Sequence, residues 1–495
     1  MGFDLQGILS ARSGEGADLW GRYLNPVAPK VLHSIGFDRQ WERAEGSYLY
    51  DSTGTRYLDY LSGFGVFGVG RSNAKIRHVL HDALDADLAD MVQMDTPLLA
   101  GLLGEALIER APYLDRVYFS SSGTEAVEAA LKFARCATGR PRVVYCDHAF
   151  HGLTSGSLSV NGAKEFRDGF GPLLPAAMVP YGDLDALRRE LVAGDVAAFI
   201  VEPVQGKTVH VAPPGYLAEA AALLHKHGAL MICDEVQTGL GRTGRFLSHE
   251  YDDVQPDIVT VAKTLSGGFA PVAATMGTNA VFEKVYSGLD RMLVHDSTYS
   301  GNTLAMAAGL ATLAVLDDEG LIANAASMGA ELMRKLAEAA DRYELVSDVR
   351  GRGLMIGIEF SRPRSRRLRR RYGPLTFARR GLFTQMVVCA LFEQHHIVSQ
   401  TAGDHVDVLK ILPPLITDSE EAGYFVDSFC SVMDAIHDSS RPVWHFGWGL
   451  TTRAASTLRS HGGTRRRGGR VGRVRRGSGN GVLGSSSDPW NQIPR

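Results

Sequence analysis

Asp257-Ile-Val-Thr-Val-Ala-Lys263-Thr-Leu-Ser-Gly-Gly268 sets a lysine straight after an apolar run rich in Val and Ile, and just before a Gly-rich turn. An unbroken run of that kind suits a strand buried on both faces of a mainly parallel sheet. Similar runs stand at Arg142–Cys146, Val196–Val201 and Ala229–Cys233, and Val117–Ser120 reads as a shorter strand. Helical segments lie between them. From about Thr124 to Cys136 the apolar Val127, Ala130, Leu131 and Ala134 recur at helical spacing, and Gly215–His227 is another such segment. Strands and helices in alternation predict an α/β unit, a mainly parallel sheet covered by helices on both faces.

After Ala330 the pattern changes. Helices near 324–344, 375–395 and 417–438 surround strands near Gly353–Phe360, His396–Ser399 and Val406–Leu412, which predicts a smaller α+β domain. Near the N-terminus, Tyr48–Asp51 and Arg56–Tyr60 flank Gly54 like a hairpin. The expected division is an N-terminal segment with part of the small domain over 1–75, a large domain over 76–330, a small domain over 331–440 and a tail over 441–495. The tail is rich in Arg, Gly and Ser and is expected to be disordered. Ser361–Tyr372 holds seven Arg and is expected to be an exposed loop.

The chain has 495 residues, 45% hydrophobic and 22% charged, enough for two to four structural units at roughly 100–200 residues each. Its net charge is −3, but the last 55 residues hold 11 Arg and one Asp, so the first 440 carry −13. An acidic body argues against nucleic acid as the main ligand. Five cysteines without a CxxC pair point to a reducing compartment and to no structural zinc. The start of the chain lacks the basic-then-apolar pattern of an export signal, and the longest apolar stretch, about Ala305–Leu316, is too short to span a bilayer. A cytoplasmic location is the expectation.

Gly239-Leu-Gly241-Arg-Thr-Gly244 fits GxGxxG, but Asp234-Glu235 intervene after the strand and no amphipathic helix opens at its end. A dinucleotide fingerprint needs both. Ser120-Ser-Ser-Gly-Thr-Glu125 lies where a strand ends and a helix begins. Its small residues let backbone N–H groups approach an anion at a positive helix end, with Ser122 and Thr124 adding hydroxyls. The same residues also read as a capping box, Ser122 at the N-cap and Glu125 three residues on. Ile232-Cys-Asp-Glu-Val-Gln237 puts Asp234 at the carboxyl end of a buried strand, facing the ligand crevice of an open α/β sheet or capping a helix. Lys263 occupies a similar strand end, where a desolvated amine loses its proton easily and can form a Schiff base. A phosphate cradle, an Asp and a Lys at strand ends of one sheet are together what pyridoxal phosphate requires. Phe150, in Asp147-His-Ala-Phe-His-Gly152, follows the Arg142–Cys146 strand and can stack on the ring.

At these residues the chain resembles the class III pyridoxal-phosphate aminotransferases of fold type I, over about residues 20–440. The resemblance rests on Ser122-Gly-Thr-Glu125, His148-Ala-Phe-His-Gly152, Val201-Glu-Pro-Val-Gln-Gly206, Cys233-Asp-Glu-Val-Gln-Thr-Gly-Leu-Gly-Arg-Thr-Gly244, Ala262-Lys-Thr-Leu-Ser-Gly-Gly268 and Ser297-Thr-Tyr-Ser-Gly-Asn302. It implies that Lys263 holds the cofactor's aldehyde carbon and shuttles the proton. Asp234 then pairs with the pyridine nitrogen, and Ser122, Gly123 and Thr124 hold the phosphate. Phe150 stacks on the ring, with His151 beside it as a further cofactor-binding residue. Gln237 approaches the ring hydroxyl, and Glu202 holds the surrounding network. Thr298 reaches the site of a neighbouring subunit, so a homodimer is implied. The implied reaction passes an amino group from a donor to a 2-oxo acid in two ping-pong halves. An aminomutase or racemase on the same fold is the alternative, needing no external oxo acid.

The substrate residues depart from the family pattern. Where many members carry Glu after the Glu-Pro-x-Gln segment and Gly, this chain has Lys207. The Arg expected before the Pro-Pro pair is Lys410. Lysine lacks the planar two-point grip of arginine. Lys207 and Lys410 are therefore the candidate substrate-binding residues, and a diamine, ω-amino acid or ornithine-like donor is expected.

Overall fold

The computed structural model describes residues 4–90, 94–378, 381–403 and 406–439. The hairpin expected at Gly54 forms: β1 (Trp41–Glu45), β2 (Tyr48–Asp51) and β3 (Arg56–Asp59) pair antiparallel in sequence. Gly54 turns it with φ +83°, a conformation that costs glycine nothing sterically.

The apolar runs build a seven-stranded sheet of β4 (Arg116–Ser120), β5 (Arg142–Cys146), β6 (Ala176–Val179), β7 (Val196–Val201), β8 (Leu230–Asp234), β9 (Ile258–Val261) and β10 (Ala273–Gly277). The spatial order is β4-β10-β9-β8-β7-β5-β6. Neighbours from β9 through β6 run parallel, whereas β10 is antiparallel to both β4 and β9. Every residue of β7, β9 and β10 is buried, as two covered faces require. The carboxyl ends of β4, β5, β7, β8 and β9 consequently open on one edge, where open α/β sheets bind ligands. The helix Gly123–Thr138 lies on this sheet through seven buried residues, four of them alanines that allow close approach.

The remaining strands are β11 (Val346–Arg352), β12 (Met355–Phe360), β13 (Ile397–Val398), β14 (Gln400–Thr401) and β15 (Val408–Ile411). A second sheet has the order β11-β12-β15-β14. β13 instead pairs parallel with β3, so a C-terminal strand completes the N-terminal sheet. Lys410 of β15 stands opposite Gly357 on one side and Gln400 on the other.

One expectation is overturned. Within 361–372, residues from Arg366 onward belong to the helix Arg366–Ala378 rather than to an exposed loop. Leu368 and Tyr372, four residues apart on one helix face, are buried, while Arg366, Arg367, Arg369 and Arg370 face solvent. Arg367 and Arg371 donate to the carbonyls of Asp438 and His437, at the C-terminus of the helix Ser419–Asp438. Guanidinium groups satisfy terminal carbonyls and complement the negative end of that helix. Residues 441–495, the expected tail, lie outside the described residues. Among the described residues no helix is long and apolar enough to cross a membrane.

Candidate active site

The strand ends surround a cavity of about 1120 Å³. Asp234 closes β8 and is 3% exposed. Three donors converge on its carboxylate. Thr260 of β9 donates to Oδ1 at 3.0 Å, the Val236 N–H to the same oxygen at 3.1 Å, and His151 Nδ1 lies 2.7 Å from Oδ2. Burial of His151 opposes its charged form, but the hydrogen bond and charge of Asp234, with Glu202 behind, outweigh that and raise its pKa. The other ring nitrogen, Nε2, is buried without a hydrogen-bond partner.

Lys263 follows β9 at φ +48°, a strained position for a side chain with a Cβ, and its side chain lines the same cavity. Among the described residues no hydrogen bond holds its amine. Burial lowers its pKa, and the charges of Asp234 and Glu202 offset this only in part. Glu202, beyond β7, accepts from the Phe150 N–H at 3.0 Å and the Gly206 N–H at 2.8 Å, so it ties together the two loops that carry Phe150 and Lys207. Burial raises its pKa.

Ser120–Glu125 caps the helix. Ser122 Oγ accepts from the Glu125 N–H at 3.4 Å, and Glu125 Oε2 accepts from the Ser121 N–H at 2.8 Å, one residue before the N-cap N–H that a capping box would use. Thr124 Oγ1 is held by Thr154 and Ser157, each at 2.7 Å. The hydroxyls expected to serve an anion are thus already engaged. The N–H groups of Gly123 and Thr124 head the helix without an acceptor among the described residues, and both residues line the cavity. Gly123 has no room for a side chain, since a Cβ would fall 2.8 Å from Val236.

Phe150, Gln237, Lys207 and Lys410 also line the cavity. Phe150 packs edge-on against Phe166, with centroids 5.8 Å apart. Gln237 donates through Nε2 to the Phe64 carbonyl at 2.9 Å. Thr298 stands apart: it is exposed and does not line the cavity. Within the GxGxxG segment Arg242 is buried and donates to the carbonyls of Leu354 and Pro413.

Sequence reasoning missed the wall formed by Phe64 and Val66. Ser62, Gly63, Phe64 and Gly65 all have positive φ, and the Gly65 carbonyl accepts from Thr264, next to Lys263, at 2.9 Å. The cluster Leu61-Ser-Gly-Phe-Gly65 was its available signal. Phe269–Val272 and Thr401–Gly403 complete the wall, the latter on a segment with no motif to mark it.

An unpaired amine, a triply bonded carboxylate, free helix-end N–H groups and an aromatic side chain form a donor set that fits pyridoxal phosphate. The Aminotransferase class-III family profile matches residues 34–433. Aminotransferase PigE of Serratia sp. (strain ATCC 39006) is 33% identical over 453 residues, covering 85% of this chain. The match takes in 53% of that protein, so the chain spans about half its length. Ornithine aminotransferase from Toxoplasma gondii is similar in structure, with a TM-score of 0.72 at 29% identity, covering 81% of this chain and 91% of that one. An S-selective transaminase from Arthrobacter sp. gives 0.72 at 25% identity, over 80% and 92%.

Proposed function

The chain belongs to the class III aminotransferase family, and from that premise we propose that it transfers an amino group from a diamine, ω-amino acid or ornithine-like donor to a 2-oxo acid, in two ping-pong half-reactions. The observation that carries this reading is the meeting of Lys263 and Asp234 at one cavity, an amine without a hydrogen bond and a carboxylate with three.

When bound, pyridoxal phosphate supplies a carbonyl that takes up the amino group and a ring that absorbs the electron pair left on the substrate carbon. The Gly123 and Thr124 N–H groups would hold its phosphate, Phe150 would lie against its ring, and Gln237 would serve the ring hydroxyl. Asp234, oriented by Thr260, Val236 and His151, would pair with the ring nitrogen. Lys263, with its proton affinity reduced by burial, is a base suited to taking a proton from the substrate carbon and returning it on the far side of the transferred nitrogen. Glu202 keeps the Phe150 and Lys207 loops in register. Lys207 brings positive charge to a wall otherwise rich in Phe and Val, which favours an acidic co-substrate, whereas burial works against charge on Lys410.

The active unit is a homodimer in this reading, with Thr298 serving the neighbouring site. Exposed Leu289, Met292, Leu293, Val294 and Tyr299 around it support a covered surface. The large domain over 76–330 supplies the sheet edge, and the small domain over 331–440 supplies Lys410. None of the five cysteines, all among the described residues, is in a disulfide, which fits a reducing cytoplasm.

A scan of amino donors against pyruvate and 2-oxoglutarate, following cofactor absorbance, tests the proposal. Amino transfer that depends on added oxo acid supports it. Turnover without any external oxo acid would overturn it.

A further inference from the structure

Asp234 and Glu235 are consecutive buried carboxylates, and of the two Asp234 alone lines the cavity. Glu235 turns to other partners. Its Oε1 accepts from the His249 N–H at 2.8 Å and lies 2.9 Å from His249 Nδ1, while its Oε2 accepts from the Thr238 hydroxyl. His249 is buried too, and its Nε2 meets the hydroxyl of Tyr113, from the segment before β4. The proposed reaction uses none of these side chains, yet they form a chain of three polar groups that ends beside Asp234.

The protons of this chain run one way. A carboxylate only accepts, so Nδ1 of His249 carries the proton that faces Glu235. Burial first, then Cys233, Glu235 and Glu250, raise the pKa of Tyr113, so the phenol keeps its proton and gives it to Nε2. The backbone around Glu235 carries the constraint to the cleft. Its N–H donates to the Thr260 carbonyl at 2.9 Å, and its own carbonyl accepts from the Gly239 N–H at 2.9 Å. Gly239 fits closely there, since a Cβ would fall 2.9 Å from that carbonyl oxygen. Between those two anchors stand Val236, whose N–H holds Asp234 Oδ1, and Gln237, and both line the cavity. Rotation of Glu235 would therefore move the Val236 N–H and the Gln237 side chain together.

We propose that Tyr113 and His249 are positioning residues that act through Glu235, holding the Val236 N–H on Asp234 and Gln237 in the cleft wall. This rests on the aminotransferase reading and extends its cofactor site to side chains that do not line the cavity. Each carboxylate of the pair then has its own histidine, His151 for Asp234 and His249 for Glu235, each through Nδ1. The first pair faces the cofactor's place, and the second fixes the turn from which the first is approached. Loss of the His249 ring would leave Glu235 buried with one donor fewer, a cost it relieves by rotating toward another partner.

Pyridoxal phosphate is the probe. Its affinity for the cofactor-free protein is measured by fluorescence, the absorbance of the loaded protein is followed against pH, and the melting temperature is read without cofactor. His249→Leu should weaken pyridoxal phosphate by about tenfold and shift the pH midpoint of the bound cofactor's absorbance. His249→Asn, whose amide nitrogen can stand where Nδ1 does, should keep affinity within about threefold and leave the midpoint in place. Tyr113→Phe, which frees only the outer end, should weaken binding by several-fold; it carries the test if His249→Leu does not fold. A lowered melting temperature with cofactor affinity and absorbance unchanged in both His249→Leu and Tyr113→Phe overturns the proposal, because the chain would then serve stability alone. So does a His249→Asn variant as weak as His249→Leu. Failure of the aminotransferase reading itself would appear separately, as no amino transfer by the wild type in the donor scan.

Discussion

His151 Nδ1 and Asp234 Oδ2 lie 2.7 Å apart with the His151 side chain fully enclosed and Asp234 3% exposed, a buried pair joining the loop after β5 to the end of β8. Removing one member leaves the other charge or dipole stranded, which costs about 3–5 kcal/mol in buried pairs. The folded-state pKa of His151 is raised above its ordinary 6.5, because Asp234 and Glu202 outweigh desolvation. A raised histidine pKa gives stability that is complete below about 6.5 and is lost as pH climbs through the folded value. The melting-temperature gap between wild type and His151→Gln, both without cofactor, should therefore be widest near about pH 5.5 and narrow toward about pH 9. A gap that stays constant would show that the pair does not titrate.

Asp234→Ala removes the carboxylate on which Thr260, Val236 and His151 converge. In the proposed reaction its charge acts mainly on the reacting state, so the variant should lose on the order of 10²-fold in kcat with cofactor saturated. Steady-state kinetics at several cofactor concentrations separate that loss from weak loading. Wild-type kcat at saturation would remove Asp234 from the mechanism.

Borohydride reduction of the cofactor-loaded protein should label the peptide containing Lys263. Burial lowers the pKa of that amine. The labelled fraction should therefore rise with pH through a midpoint below the ordinary 10.5 of lysine. Lys263→Ala should abolish both label and turnover while cofactor still binds noncovalently. Peptide mapping by mass spectrometry decides it, and label on another lysine would refute the assignment.

The large sheet was legible because its strands advertise burial on both faces. Arg142–Cys146 and Val196–Val201 are marked in the sequence by largely apolar residues and recur with the same bounds in the structure. β10 escaped notice because Ala273-Ala-Thr-Met-Gly277 is small and weak in strand propensity; its position is dictated by pairing with β4 and β9. β6, at the sheet edge with Met178 exposed, carries a pattern too short to stand out. The lining of the cavity was legible where it coincides with a strand end, as at Asp234 and Lys263. It was not legible where walls arrive from distant sequence, as Phe64 and Thr401 do, since nothing local records which loop will fold over a cleft. Arginine density misled at 366–371, because Leu368 and Tyr372 supply a buried helix face four residues apart within a strongly charged run.

Gly329 in the helix Leu321–Ala340 offers a packing test away from the cleft. A Cβ there would fall 2.4 Å from the carbonyl carbon and oxygen of Gly353, rigid backbone that cannot turn aside. Gly329→Ala should destabilise by about 1–3 kcal/mol or more, despite the better helix propensity of alanine. A lowered denaturation midpoint checks this, and a raised one would mean that the helix and the turn separate freely.

Tyr372 tests whether the arginine-rich segment is held by its buried face. Its hydroxyl shares its one proton between the carbonyls of Ile436 at 2.9 Å and Ser439 at 3.0 Å, while its ring is buried edge-on to Phe383. Tyr372→Phe keeps the ring and removes that shared donor, so it should cost about 1 kcal/mol. Tyr372→Ala also empties the ring's place, and by analogy with other large aromatic deletions should cost about 3–5 kcal/mol. Arg369→Ala, on the solvent face, removes only a donor to the Arg364 carbonyl and should stay within about 0.5 kcal/mol of wild type. Chemical denaturation of the three variants reads the contrast. An exposed loop would make all three alike, whereas an anchored helix makes Tyr372→Ala far the worst, because its stability comes from one buried ring and its hydroxyl rather than from the arginines that surround them.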